Sequence, residues 1–278
     1  MRKIFLPTDF SEIAHNAAHL AVQIAQKANA KVFLFHLLNI PLEWERLTVE
    51  QEKNYPEVKA LIANTKLKLS TYAQSDIFKN VEVEWEVFIN DTVENVVKHA
   101  DEVCCDLIVM GTHGSKGFNE LVLGSNTQKV VRYAKVPVLT VHKLHKPYKL
   151  RHIALFADFN KDDNYLGLFN HALEIANLFD ATVHIVKVLT PSSDFLEFDA
   201  AELEAFIDNK VVRKDSVRID YMRPVEDGIF EYLNTHKIDM VVMGTHGRTG
   251  ISRLLMGSVA EVVVNHSPVP VMVSRVSR

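Results

Sequence analysis

Two short segments carry the residue types from which a phosphate cradle is made, and they are nearly identical. Val109-Met110-Gly111-Thr112-His113-Gly114 recurs as Val242-Met243-Gly244-Thr245-His246-Gly247. After nine intervening residues each is followed by Gly-Ser, as Gly124-Ser125 and Gly257-Ser258. Glycine has no Cβ, so backbone can turn tightly there and approach a bulky anion. Where Gly-Ser opens a helix, the first-turn N–H groups and the positive end of the dipole favour phosphate. The serine hydroxyl can cap that helix or donate to a phosphate oxygen. Each copy also has an aspartate just past its first apolar segment, Asp9 and Asp158. Such a carboxylate can accept hydrogen bonds from a ribose or an adenine edge.

Chemistry beyond binding has less support. An ATP-consuming enzyme needs an activated nucleophile and usually a metal clamp on the phosphates. The patterns G-x-x-x-x-G-K-[ST], H-E-x-x-H, paired C-x-x-C and G-x-S-x-G are all absent. His113 and His246 lie inside the loops and could touch phosphate or move a proton. Neither has an identifiable carboxylate partner, so both are read as structural or solvent-facing. Lys116 and Arg248 follow the second loop glycine and are read as solvated surface. Asp194, Glu197, Asp199, Glu202 and Glu204 alternate with Phe195, Leu196, Phe198, Leu203 and Phe206. That spacing suits the polar side of a helix better than a cation site. His142 and His145 are read as linker residues. Cys104 and Cys105 are adjacent in an apolar run and are expected to be small buried thiols. No catalytic residue and no metal ligand is assigned.

The elements that position the loops are also duplicated. At roughly 7% per fixed position, Gly-Gly-Gly-Ser at this spacing would recur about once in forty thousand placements. The repeat is therefore a duplication, and the flanking segments align in the same order. Ile4-Phe5-Leu6-Pro7-Thr8-Asp9-Phe10 answers to Ile153-Ala154-Leu155-Phe156-Ala157-Asp158-Phe159, and Val136-Pro137-Val138 to Val269-Pro270-Val271. In the first copy, strands are expected near 3–7, 31–38, 81–88, 106–111 and 137–142. Helices are expected near 11–28, 50–75, 91–103 and 124–134, with Ser11-Glu12 as a helix start and Asp91 as a cap. Alternating strands and helices imply an α/β fold with a parallel sheet covered on both faces. Pro147 separates the copies, giving domains 1–145 and 146–278.

Totals agree with this organisation. The 278 residues allow about two ordinary domains. With 47% hydrophobic and 24% charged residues and a net charge of −4, no global field draws the chain to nucleic acid or anionic lipid. The chain enters a strand-like segment at Lys3 with no room for a signal peptide, and no apolar stretch approaches the ~20 residues of a membrane span. A cytoplasmic location is expected.

Pro-Thr-Asp-Phe-Ser at residues 7–11, with G-x2-G-x9-G-S after the fourth strand, resembles the universal stress protein family over essentially the whole chain. The resemblance implies two tandem Rossmann-like domains, each a five-stranded parallel sheet of order 3-2-1-4-5 flanked by helices. It also implies pairing of domains through the fifth strand, here within one chain, with a homodimer as a further option. Members with this glycine pattern usually bind ATP, with or without Mg2+. By the resemblance, Pro7, Asp9, Leu37, Met110, Gly111, Gly114, Gly124, Ser125 and Asn126 would line the first pocket. Asp158, Val188, Met243, Gly244, Gly247, Gly257, Ser258 and Val259 would line the second. Two departures stand out. Phe156-Ala157 replaces Pro7-Thr8, where a bulkier side chain could crowd the nucleotide, and Asn126 stands where a small apolar residue is commoner. Three functions compete: an ATP-binding stress or signalling protein with an unidentified protein partner, a slow ATP hydrolase or phosphotransferase, and a scaffold that binds no nucleotide. Two intact loops favour the first, because a scaffold has no need for close anion approach twice.

Overall fold

The computed structural model describes residues 1–40, 44–112, 124–142, 148–157, 165–189, 212–218, 224–246 and 258–276. The expected domain junction at 145/146, Lys116, Arg248 and the acidic stretch 194–204 lie outside them. The described residues form two compact units, divided between Val138 and Leu139.

In the first unit β1 (Lys3–Pro7) pairs in parallel with β2 (Lys31–Leu38) on one side and β4 (Leu107–Gly111) on the other. Beyond β2 lies β3 (Val83–Ile89). The chain enters β5 (Val138–Val141) alongside β4, where Ile108 N–H donates to Pro137 O at 3.0 Å. The order is therefore β3-β2-β1-β4-β5. The winding reverses between β1 and β4, and in open parallel sheets ligands bind beyond the carboxyl ends of the strands at such a reversal. Ile4, Leu6, Leu107 and Val109 have no exposed surface, as expected of central strands covered on both faces.

Helix α1 (Glu12–Ala28) starts at Ser11, whose Oγ accepts the Ala14 N–H at 3.1 Å. Ala14, Ala17, Ala18, Ala21, Ile24 and Ala25 form its buried face, as their spacing requires. Alanines on that face let the helix axis approach the sheet closely. The helix ends at Asn29 in the left-handed conformation (φ 50°), a geometry asparagine tolerates.

Three local expectations change. The helix expected over 50–75 is two, α2 (Val49–Glu52) and α3 (Pro56–Ala73). Pro56 lacks an N–H and forces Tyr55 out of the helical region, so the chain restarts there. Helix α4 (Val93–Glu102) is capped by Thr92, whose Oγ1 accepts the Asn95 N–H at 3.2 Å. Asp91 holds the Thr92 N–H at 2.8 Å and the Asn95 side-chain amide at 3.0 Å instead. Of the two cysteines, only Cys105 is buried, its thiol pushed up to about 12 by desolvation; Cys104 is exposed at φ 53°. After β4 the first unit closes with α5 (Ser125–Tyr133).

The second unit repeats the plan. Its strands are β6 (His152–Phe156), β7 (Thr182–Leu189), β8 (Val212–Arg218), β9 (Met240–His246) and β10 (Val271–Val276). They pair in parallel in the order β8-β7-β6-β9-β10. The helices are α6 (Leu166–Phe179), α7 (Val225–Thr235) and α8 (Ser258–His266). Helix α6 ends at Asp180 with φ 54°, the counterpart of Asn29. A second device also recurs. Asp106, before β4, accepts the Lys3 N–H at 2.9 Å, and Asp239, before β9, accepts the Arg151 and His152 N–H groups at 2.8 and 3.0 Å. Each carboxylate thus pins the entry of one central strand to the next. Among the described residues, no helix is long and apolar enough to cross a membrane.

Candidate functional site

At the end of β1 the chain turns through hydrogen bonds made by its own side chains. Thr8 Oγ1 accepts the Phe10 N–H and Asp9 Oδ1 accepts the Ser11 N–H, each at 3.0 Å. Thr8 N–H donates to Phe35 O at 2.8 Å, and its carbonyl accepts from His36 Nδ1 at 2.7 Å. The bond to a carbonyl places the His36 proton on Nδ1. Phe10 is held at φ 62°, an uncommon conformation for a bulky residue. The turn therefore sets Asp9 in place, half-exposed, with Pro7 half-buried before it and Leu37 half-buried on β2.

At the end of β4, Met110 is buried and Gly111 meets the first turn of α1. A Cβ at Gly111 would lie 2.8 Å from Ile13 Cγ2 and 3.3 Å from the Ile13 carbonyl carbon. This glycine is thus required by packing as well as suited to a ligand. The far end of the loop returns to the same place. Gly124 N–H donates to Thr112 O at 2.9 Å, and Thr127 Oγ1 donates to Gly111 O at 3.0 Å and to Thr112 O at 3.2 Å. One buried hydroxyl therefore ties the start of α5 to the last residues of β4. Thr127 is not among the residues expected from sequence to shape the site, although its place three residues after Gly124 is a usable signal. Ala260 stands at the equivalent position and has no hydroxyl.

Gly124 is the N-cap of α5 and supplies no side-chain acceptor. Ser125 is the first helical residue rather than its cap, and Ser125 and Asn126 are exposed. First-turn N–H groups have no acceptor within a helix, so this terminus presents donors and partial positive charge to an anion. Gly114 and His113 lie outside the described residues.

In the second unit, Met243 is buried, Val188 and Val259 are half-buried, and Ser258 opens α8. A Cβ at Gly244 would collide with the Val276 side chain and lie 3.4 Å from Leu168 Cδ2. Asp158, Gly247 and Gly257 lie outside the described residues. Phe156 is 4% exposed, its ring edge-on to Tyr232 at 5.8 Å. The bulky replacement for Pro7 is thus packed into the core beneath α7.

Opposite Gly244 in the strand register is Ser274, whose Oγ lies 3.1 Å from His171 Nδ1 on α6. Burial lowers the His171 pKa, with Glu174 opposing. The alignment places Leu20 and Val141 at these two positions of the first copy, both without exposed surface. A polar pair thus replaces an apolar one beside the second loop. Among the described residues, no group of three or more His, Cys, Asp or Glu is arranged to hold a metal ion.

Comparison with known proteins agrees with this architecture. The model of the universal stress protein family matches residues 1–142 and again 149–275. Universal stress protein Slr1230 of Synechocystis is 24% identical over 99% of this chain and its own full length. Universal stress protein MJ0531 of Methanocaldococcus jannaschii is 29% identical over 52% of this chain and 84% of its own. Among solved structures, a putative universal stress protein from Pseudomonas aeruginosa shares the fold at a TM-score of 0.70 and 20% identity, covering 99% of this chain and 94% of its own. One from Archaeoglobus fulgidus does so at 0.68 and 20%, covering 98% of each chain. With the duplicated loops, the duplicated strand order and two matches to one family model, the chain belongs to the universal stress protein family as a tandem, two-domain member.

Proposed function

We propose that the chain is an ATP-binding stress-response protein, built of domains 1–145 and 146–278, that acts through nucleotide-dependent conformation or partner binding. The observation that carries this reading is the tie between the start of α5 and the end of β4. Thr127 and the Gly124 N–H draw the donor-rich start of α5 against the end of β4, one strand from Asp9. In this reading Pro7, Asp9, Leu37 and Met110 take the adenosine. Gly111, Gly114, Gly124, Ser125 and Asn126 take the phosphates through backbone N–H groups, with or without Mg2+. Asp158, Val188, Met243, Gly244, Gly247, Gly257, Ser258 and Val259 do the same in the second domain. The charge of ATP would be met by helix-terminal donors, an arrangement that binds without supplying a nucleophile or a base.

The test is to purify the chain without added nucleotide, denature it, and quantify released adenine nucleotides. Two ATP per chain are expected. One would direct attention to the second pocket, and ADP would favour slow hydrolysis. No nucleotide, together with no thermal shift in millimolar Mg-ATP, would transfer the reading to a scaffold. Gly114→Trp and Gly247→Trp should each remove one equivalent of ATP while leaving circular dichroism unchanged.

A further inference from the structure

A groove beside the turn that carries Asp9 lies between the start of α1 and the second half of α3. Its volume is about 570 Å3, within the range of small-molecule sites. Two aromatic rings line it, Phe10 and Tyr72, with centroids 6.0 Å apart at 69°. The Phe10 backbone N–H donates to Thr8 Oγ1, and the His36 ring lies 4.9 Å from the Phe10 ring. Lys68 Nζ stands 4.1 Å from the centre of that ring. His15 Nδ1 lies 3.0 Å from Tyr72 Oη, and burial pushes the Tyr72 phenol up to about 12, which keeps it neutral. Exposed Asn64 and Thr71 add further polar groups along α3. Among the described residues no carboxylate lines the groove, so the formal charge of these walls is positive.

We propose that this groove binds a small organic anion with a planar apolar body, its carboxylate on the Lys68 ammonium that stands over Phe10 and its ring against Tyr72. The lining favours this class over two others. A cationic ligand would meet Lys68 with no opposing charge, and a neutral apolar one would leave the ammonium and the amide unused. Aromatic faces already ordered by their neighbours lower the cost of receiving a flat ring.

The test uses the full chain and 1-naphthoate as probe, followed by amide shifts in nuclear magnetic resonance. Shifts at Phe10, Asn64 and Thr71 with about millimolar affinity are expected, and they should persist in saturating ATP. Lys68→Gln should weaken binding about fivefold, the reach of an exposed ion pair. Thr71→Trp, which fills the groove, should abolish it, with both variants folded by circular dichroism. 1-Naphthylmethylamine should bind more weakly than the acid. Three results would each overturn the proposal: no shifts at these residues, equal affinity for the amine, or undiminished affinity in Lys68→Gln.

Discussion

Thr127 shows how one hydroxyl can tie the start of a helix to the end of a strand. It reaches the carbonyls of both Gly111 and Thr112. Thr127→Ala keeps the helix but leaves those carbonyls one donor short. In the proposed ATP-binding reading, a loss of about 1 kcal/mol, roughly fivefold in affinity at the first pocket, is the expected outcome by calorimetry. The second copy, with Ala260, already lacks this tie, so the corresponding site should be the weaker of the two. At the second loop the informative pair is His171 and Ser274. A lowered His171 pKa means that the unfolded chain binds more protons than the folded one. Its contribution is therefore complete above the ordinary histidine value of about 6.5 and is lost as pH falls toward the lowered one. Denaturant midpoints should drop below that pH in the natural chain. In the double variant His171→Leu with Ser274→Val, which copies the first domain, this dependence should flatten. His171→Leu alone leaves the Ser274 hydroxyl buried without His171 and should cost about 1–2 kcal/mol.

At the scale of elements, the two copies share devices that composition does not reveal. The aspartates before β4 and β9 each clamp the backbone at the entry to the central strand of their unit. Asp106→Ala and Asp239→Ala should therefore cost similar amounts, about 1–3 kcal/mol each by urea denaturation, since both are charge-assisted bonds. Thr92→Ala removes the side-chain acceptor of α4 and should cost about 1 kcal/mol. Asp91→Ala should cost less, because Asp91 supports the cap without being it. The helix starts show why spacing alone misplaced two features. Asp91 and Thr92 are both good caps by type, and only the backbone decides which one sits at the boundary. Gly124 and Ser125 present the same ambiguity, and there the glycine takes the cap. Pro56 is a breaker in plain view, and it divides the single helix expected over 50–75.

For the molecule as a whole, the duplication was legible because it rests on identities in a line of text. Gly111 with Gly244, Gly124 with Gly257 and Asp9 with Asp158 align without any knowledge of space. The strand positions followed from contiguous apolar runs, and the parallel α/β class followed from their alternation with helices. Hydrophobic period is a local property, so sequence by itself determined these things. What required the tertiary structure is of another kind. That Gly111 packs against Ile13, that Thr127 ties α5 to β4, that Phe156 turns into the core against Tyr232, and that His171 finds Ser274 all depend on residues distant in the chain. Such contacts are set by how helices are laid on the sheet, to within fractions of an ångström. A sequence records which residues are available for them, and packing decides which of them meet.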